Sequence, residues 1–245
     1  MKKIYTLLLT LSVVFISNII IAQDLKSWKE PMRSEMIKMI EKAPKKNRIA
    51  TFDMDGTMIS ESPAYDIAIF TQKYSDAKIA SKDDLVKALL ALAKDEKYKE
   101  YVDDFFTTHK SKVYQPMVEL VEFLKKNQFK VILCTASEDY FGTVAMNTAF
   151  PIFDDVIGTN FKVRLNDKEG KVENLREAGL RPMFAFGNSD GDYAMLEYAK
   201  KGGFIVLHND KASGEYDKPE EYIKECKENN FKVIRIDGDW KTVFN

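Results

Sequence analysis

Histidine and cysteine are scarce in this chain of 245 residues, which carries only His109, His208, Cys134 and Cys226. Two histidines are too few for a histidine-rich zinc site. Two cysteines permit one disulfide in an oxidising compartment, but Cys134 lies inside the apolar run VILCTAS, where a small buried hydrophobe is the expected role. Charge of one sign is also missing: 37 Lys and Arg face 38 Asp and Glu, a net of −1 that gives no electrostatic footprint for nucleic acid. No internal repeat or low-complexity segment is present, which sets solenoids and fibrous arrays aside.

One long hydrophobic run exists, and it opens the chain: MKKIYTLLLTLSVVFISNIIIAQ. Two lysines, an apolar stretch from Ile4 to Ile21 and the small Ala22 follow the order of a secretory signal peptide over residues 1–22, with cleavage expected after Ala22. An uncleaved leader is the alternative and the single route to membrane association, against which the polar Asn18 argues. No cysteine follows the run, so a lipid anchor is not indicated. The expectation is a periplasmic or secreted bacterial protein with no obligate protein partner evident. The remaining residues suffice for one sizeable core and a smaller accessory unit.

Beyond the leader, LKSWKEPMRSEMIKMIEKA has helical spacing at Trp28, Met32, Met36 and Ile40. Short apolar runs then recur at RIATF (48–52), KVILC (130–134), MFAF (183–186), GFIVL (203–207) and FKVIRI (231–236). Helical patterns at 114–128, 172–179 and 193–201 lie between several of them. Continuous apolar strands alternating with helices predict an α/β fold, a doubly wound Rossmann-like parallel sheet with helices on both faces. About 50 residues from Glu61 to Lys110 break the alternation; their helical content, notably DDLVKALLALAKDEKYKEYVDDFF, predicts an inserted helical cap at 61–110, with the core at 23–60 and 111–245. The ligand crevice of such sheets lies outside the carboxyl ends of the strands.

At that end of the first strand stands TFDMDGT. Residues i and i+2 of an extended chain share a face, so Asp53 and Asp55 would both leave the strand toward the crevice, and Gly56 permits a tight reversal beside them. A calcium loop is excluded, since Met58 and Ala64 stand where an EF-hand needs Gly and Glu. Further polar groups end other elements: Thr135 and Ser137 after the second strand, GNSDGD (187–192) after the third, and Lys171 at the start of a helix. Together they supply a nucleophile, a proton carrier, phosphate donors and a cation site.

These segments resemble the haloacid dehalogenase superfamily: TFDMDGT its first motif, VILCTAS its second, GKVENL its lysine and FGNSDGDYAML its fourth, in order and spanning the mature chain. The inserted helices resemble the family's first type of cap, and the lysine and last motif are most similar to the phosphoserine phosphatase and phosphorylcholine phosphatase branch. The resemblance implies a Mg²⁺-dependent phosphatase acting on a small phosphorylated metabolite. Dehalogenation needs only the nucleophile, whereas ester cleavage also needs an acid for the leaving alkoxide, so an aspartate at position 55 favours phosphate chemistry. Asp53 is then the expected nucleophile and Asp55 the acid and base. Thr135 and Lys171 would bind phosphate, and Mg²⁺ would sit on Asp53, the Asp55 carbonyl and the fourth motif. There Asn188 replaces the aspartate of many relatives, leaving Asn188, Asp192 or Asp190 to complete the metal site.

Weaker signals surround this set. Glu61 could face substrate at the cap entrance, and His208 at the crevice rim either contacts substrate or sits in a surface turn. The cap aromatics Tyr65, Phe70, Tyr74, Phe105 and Phe106 could cage a quaternary ammonium, but their helical spacing favours core. A phosphotransferase using an alcohol acceptor and a catalytically inactive binding protein of the same fold are the alternative functions.

Overall fold

The computed structural model describes residues 24–216 and 220–244; the leader expected at 1–22 lies outside the described residues. Six strands form one parallel sheet: β1 (Ile49–Phe52), β2 (Lys130–Glu138), β3 (Asp155–Thr159), β4 (Phe184–Gly187), β5 (Gly202–Leu207) and, after a two-stranded ribbon of β6 (Asn209–Asp210) and β7 (Glu215–Tyr216), β8 (Lys232–Arg235). Their order is β3-β2-β1-β4-β5-β8, so the chain winds outward on one side of β1 and then restarts beside it with β4. Such a reversal opens a crevice at the carboxyl ends of the two central strands.

The strand sequences are apolar throughout because both sheet faces are covered. Phe184, Phe186, Phe204 and Val206 belong to a large core cluster, whereas the intervening Ala185 and Ile205 join Cys134, Leu175 and Cys226 in a smaller one. Successive residues thus enter cores on opposite faces, as the two-residue strand period requires. Both cysteines are buried and unjoined, in the hydrophobic role expected of Cys134. Of the six strands, β3 is the one without a counterpart among the apolar runs of the sequence: in DVIGT only Val156 and Ile157 are large and apolar, which suffices at an edge.

The amino-terminal helix α1 (Met32–Glu41) buries Met36, Ile37 and Ile40. It starts later than the spacing from Trp28 suggests, since Pro31 precedes it and Trp28 is spent on a docked segment, its ring edge-on to Trp240 and its Nε1 donating to the Pro116 carbonyl at 2.9 Å. Between β1 and β2 the chain forms α2 (Asp66–Tyr74), α3 (Lys82–Leu92) and α4 (Tyr98–Thr108) before α5 (Gln115–Lys126) returns it to the sheet. The strands of chain leaving and re-entering the core run side by side, with the Ser60 amide on the Lys112 carbonyl at 2.9 Å and the Asp66 carboxylate taking His109 Nε2 at 2.7 Å and Ser111 Oγ at 2.5 Å. Phe70, Phe105 and Phe106 are buried against one another and Phe141 of α6 (Asp139–Ala149), so these rings are core.

Phe52, the last residue of β1, is fully buried, stacked on Phe186 at 4.4 Å between ring centroids and edge-on to Phe153. Truncating it would leave a cavity directly beneath the Asp53 turn. Phe52→Ala is expected to lower unfolding free energy by about 3–5 kcal/mol in urea titration; a loss of under about 1 kcal/mol would contradict this packing.

Candidate active site

Asp53 follows β1 directly, its amide still bonded to the Phe186 carbonyl of β4 at 2.9 Å, so the strand fixes the direction of its side chain. The next residues turn back at once: the amides of Thr57, Met58 and Ile59 all reach the Met54 carbonyl, and Gly56 adopts φ +70°. A Cβ on Gly56 would lie 1.9 Å from Asn188 Nδ2 and 2.5 Å from Glu61 Oε1, so glycine is required both for the turn and for this approach. The turn leaves Asp55 beside Asp53, its Oδ2 accepting Ser137 Oγ at 3.4 Å and its Oδ1 buried without a hydrogen-bond partner.

Opposite the doublet, α7 (Glu169–Glu177) presents Lys171, which is 1% exposed. Its Nζ donates to Asp53 Oδ1 at 2.5 Å and to Asp192 Oδ1 at 2.7 Å. Asp192 ends the single turn Asp190–Asp192 after β4, and its Oδ2 accepts the amides of Asn188 and Ser189 at 3.0 and 3.1 Å. Buried acids and base therefore compensate one another. Burial pushes the Asp53 carboxyl up to about 7, with the Asp192 carboxylate adding to the rise and the Lys171 ammonium opposing it. Asp55 is held well above the usual carboxylate range by burial and then by the carboxylates of Asp53, Asp66 and Glu61. Lys171 stays charged, its burial outweighed by the two carboxylates it holds.

The residues expected at this site are not all brought together. Asp53, Asp55, Lys171, Asn188, Asp192 and Glu61 line one cavity of about 560 Å³. Thr135 does not: it is fully buried, its Oγ1 accepts the Ser137 amide at 3.1 Å, and the hydroxyl facing the cavity at the end of β2 is that of Ser137. His208 is also outside the lining; it is 2% exposed, and its Nε2 meets the Gly56 carbonyl at 2.7 Å, bracing the turn rather than sitting on the rim. Asp190 lines the same cavity, but its side chain is 69% exposed and paired with Lys168 at 3.1 Å. Glu61 is nearer the chemistry than its sequence position suggests, accepting Asn188 Nδ2 at 2.8 Å across a separation of 127 residues. It returns beside Asn188 the negative charge that an aspartate there would have carried.

Among the described residues no group of three or more His, Cys, Asp or Glu side chains is arranged to hold a metal ion. A site for the implied Mg²⁺ must instead combine carboxylate with neutral oxygen. The residues present fit such an ion: the carboxyl groups of Asp53, Asp192 and Glu61 outnumber the one buried ammonium, that of Lys171, and Asp55 Oδ1 is a buried oxygen with no hydrogen-bond partner. Hard oxygen donors of this kind suit Mg²⁺. Asp192 is the poorest candidate ligand of the set, because Lys171 and two amides already occupy its oxygens.

Comparison with curated protein sequences gives no significant match. Among solved structures, a provisionally named phosphatase from Clostridium difficile is similar at 18% identity and TM-score 0.50, covering 78% of this chain and 96% of its own. A predicted phosphatase from Clostridium acetobutylicum is similar at 17% identity and TM-score 0.50, covering 78% and 95%. At such identities the likeness establishes the fold. The sequence model for haloacid dehalogenase-like hydrolases matches residues 50–197, a stretch containing the Asp53 turn, the end of β2, Lys171 and the loop after β4, and the chain belongs to that family.

Proposed function

We propose that the protein is a Mg²⁺-dependent phosphomonoesterase that works through a phosphoryl-Asp53 intermediate. The observation that carries this reading is the juxtaposition of two buried carboxyl groups in unlike surroundings, Asp53 clamped by Lys171 at 2.5 Å and Asp55 without an ionic partner, its carboxyl held well above the usual carboxylate range. Phosphoryl transfer asks for this division: one carboxylate to attack and one carboxylic acid to donate.

In this reading an Asp53 oxygen attacks phosphorus in line as the ester P–O bond breaks. The departing alkoxide takes the proton of Asp55 and leaves as the neutral alcohol. Asp55, now ionised, accepts a proton from the water that attacks the acyl phosphate, which releases inorganic phosphate and restores both groups. Lys171, held by Asp192, keeps Asp53 oriented and offsets the charge of the phosphoryl oxygens. Mg²⁺ supplies further neutralisation of that charge when bound; the Asp53 carboxylate, the Asp55 main-chain carbonyl and the Asn188 amide oxygen are the groups that would hold it. Ser137 takes over the hydroxyl contact expected of Thr135, since it lines the cavity. On the strength of the leader pattern in residues 1–22, the reaction takes place outside the cytoplasm.

Release of phosphate from p-nitrophenyl phosphate tests the reading. Turnover is expected with Mg²⁺, to vanish with EDTA and in Asp53→Asn, and to fall by roughly 10²–10⁴ in Asp55→Asn. A fully active Asp53→Asn variant would falsify the scheme. A second expectation concerns stability. Asp53 ionises near 3.8 in the unfolded chain and about 7 in the fold, so the metal-free protein retains a proton that the unfolded chain has lost. The associated stability is fully present below about 4 and lost as pH rises through about 7. The midpoint of thermal unfolding in EDTA should therefore fall from pH 5 to pH 8, with a shallower slope in Asp53→Asn; equal slopes would remove Asp53 as the cause.

A further inference from the structure

The phosphate-binding end of the cavity is polar, but the rest of its wall is not. Ile79, Leu85, Val86 and Leu89 line it from α3 and the segment before it, and Phe161 and Leu165 from the loop after β3. Leu165 is 48% exposed and Tyr65, at the same cavity, 45%, among the few large hydrophobics of the described residues that the fold leaves in water. Apolar surface gathered in a concave site next to reactive groups is ligand-binding surface by default.

The charged groups of the wall are predominantly acidic, seven Asp and Glu against Lys82 and Lys171. Lys82 Nζ is paired with Asp167 at 3.1 Å, Asp190 with Lys168 at 3.1 Å, and Lys171 is committed to Asp53 and Asp192. Glu138 Oε2 accepts the Tyr98 hydroxyl at 2.9 Å and the Phe141 amide at 3.0 Å, while Glu61 holds Asn188. A second phosphate or a carboxylate on the substrate would meet this excess of acids and apolar carbon, with Lys171 taken by the site itself and Lys82 held to Asp167. Resting on the phosphatase reading above, we infer that the alcohol released by this enzyme is apolar and carries no anionic group, an alkyl or aryl group lying along Leu85, Val86 and Leu165. The reaction balances without any further reagent: water is consumed, the P–O ester bond breaks, and the neutral alcohol leaves with the proton from Asp55.

The test is kcat/KM of the full chain with Mg²⁺ on ethyl, butyl and hexyl phosphate, with phosphoserine as a substrate bearing a carboxylate and an amine. The value is expected to rise by about two- to fourfold per methylene, and phosphoserine to fall at least about tenfold below butyl phosphate, one well-placed apolar contact being worth a factor of this order. Leu85→Ser, at a half-buried surface of α3, should reduce the hexyl-to-ethyl ratio. A flat or falling series, or preference for phosphoserine, overturns the inference while leaving the phosphatase reading intact. Should no ester turn over, the phosphatase reading fails, and calorimetric binding of ethyl-, butyl- and hexylphosphonate decides the cavity's preference independently: affinity rising with chain length upholds it, and equal affinities overturn it.

Discussion

The buried ammonium of Lys171 between Asp53 and Asp192 is the interaction on which the rest of the site depends. Lys171 and Asp192 are each 1% exposed and Asp53 8%, so the ammonium could not be held charged at its position without carboxylate beside it. The triad also does structural work. The second oxygen of Asp192 gathers the amides of Asn188 and Ser189 and so shapes the loop after β4, and Gly187 lacks a side chain where a Cβ would lie 2.4 Å from the Asp192 carboxyl carbon. Through Lys171 the same carboxylate fixes the orientation of Asp53 on the neighbouring strand.

The sheet makes that arrangement affordable. β1 and β4 are adjacent and parallel, with Phe52 stacked on Phe186 between them, so the two loops bearing Asp53 and Asn188 start from a rigid base and meet over it. The turn after β1 then brings Asp55 next to Asp53, where mutual repulsion and burial raise its affinity for a proton. One carboxyl is oriented by a cation, and its neighbour, without one, is pushed toward its neutral form. The difference between them comes from what surrounds each, since the residue type is the same. Glu61 extends this balance outward, its carboxylate compensating for the amide at position 188 while also adding to the field on Asp55.

Much of this was legible in the sequence, because parallel strands buried on both faces write themselves as unbroken apolar runs and chemistry sits where those runs stop. The runs ending in Phe52, Cys134 and Phe186 located the doublet, the hydroxyls and the fourth motif, and α5, α7 and α8 (Tyr193–Tyr198) coincide with periodic segments. Other features leave no such trace. β3 is an edge strand with only two large apolar residues, too few to stand out from a loop. The choice between Thr135 and Ser137 depends on which hydroxyl the end of β2 turns inward, a matter of local twist that residue type does not encode. His208 was indistinguishable from a rim histidine until its bond to Gly56 was seen, and the pairing of Glu61 with Asn188 joins residues that only the folded chain brings together. The apolar wall likewise draws on two segments far apart in sequence, each of which reads as ordinary helix or loop alone.

The central claim is that Asp53 is a nucleophile and not merely a ligand or a structural partner of Lys171. Acid quenching of the protein during steady turnover of a phosphomonoester, followed by peptide mass mapping with and without hydroxylamine, addresses it directly. The account predicts one phosphoryl group on the peptide containing Asp53, removed by hydroxylamine as an acyl phosphate must be. Turnover with that peptide unmodified at every quench time, or a phosphoryl group on a different residue, would contradict it.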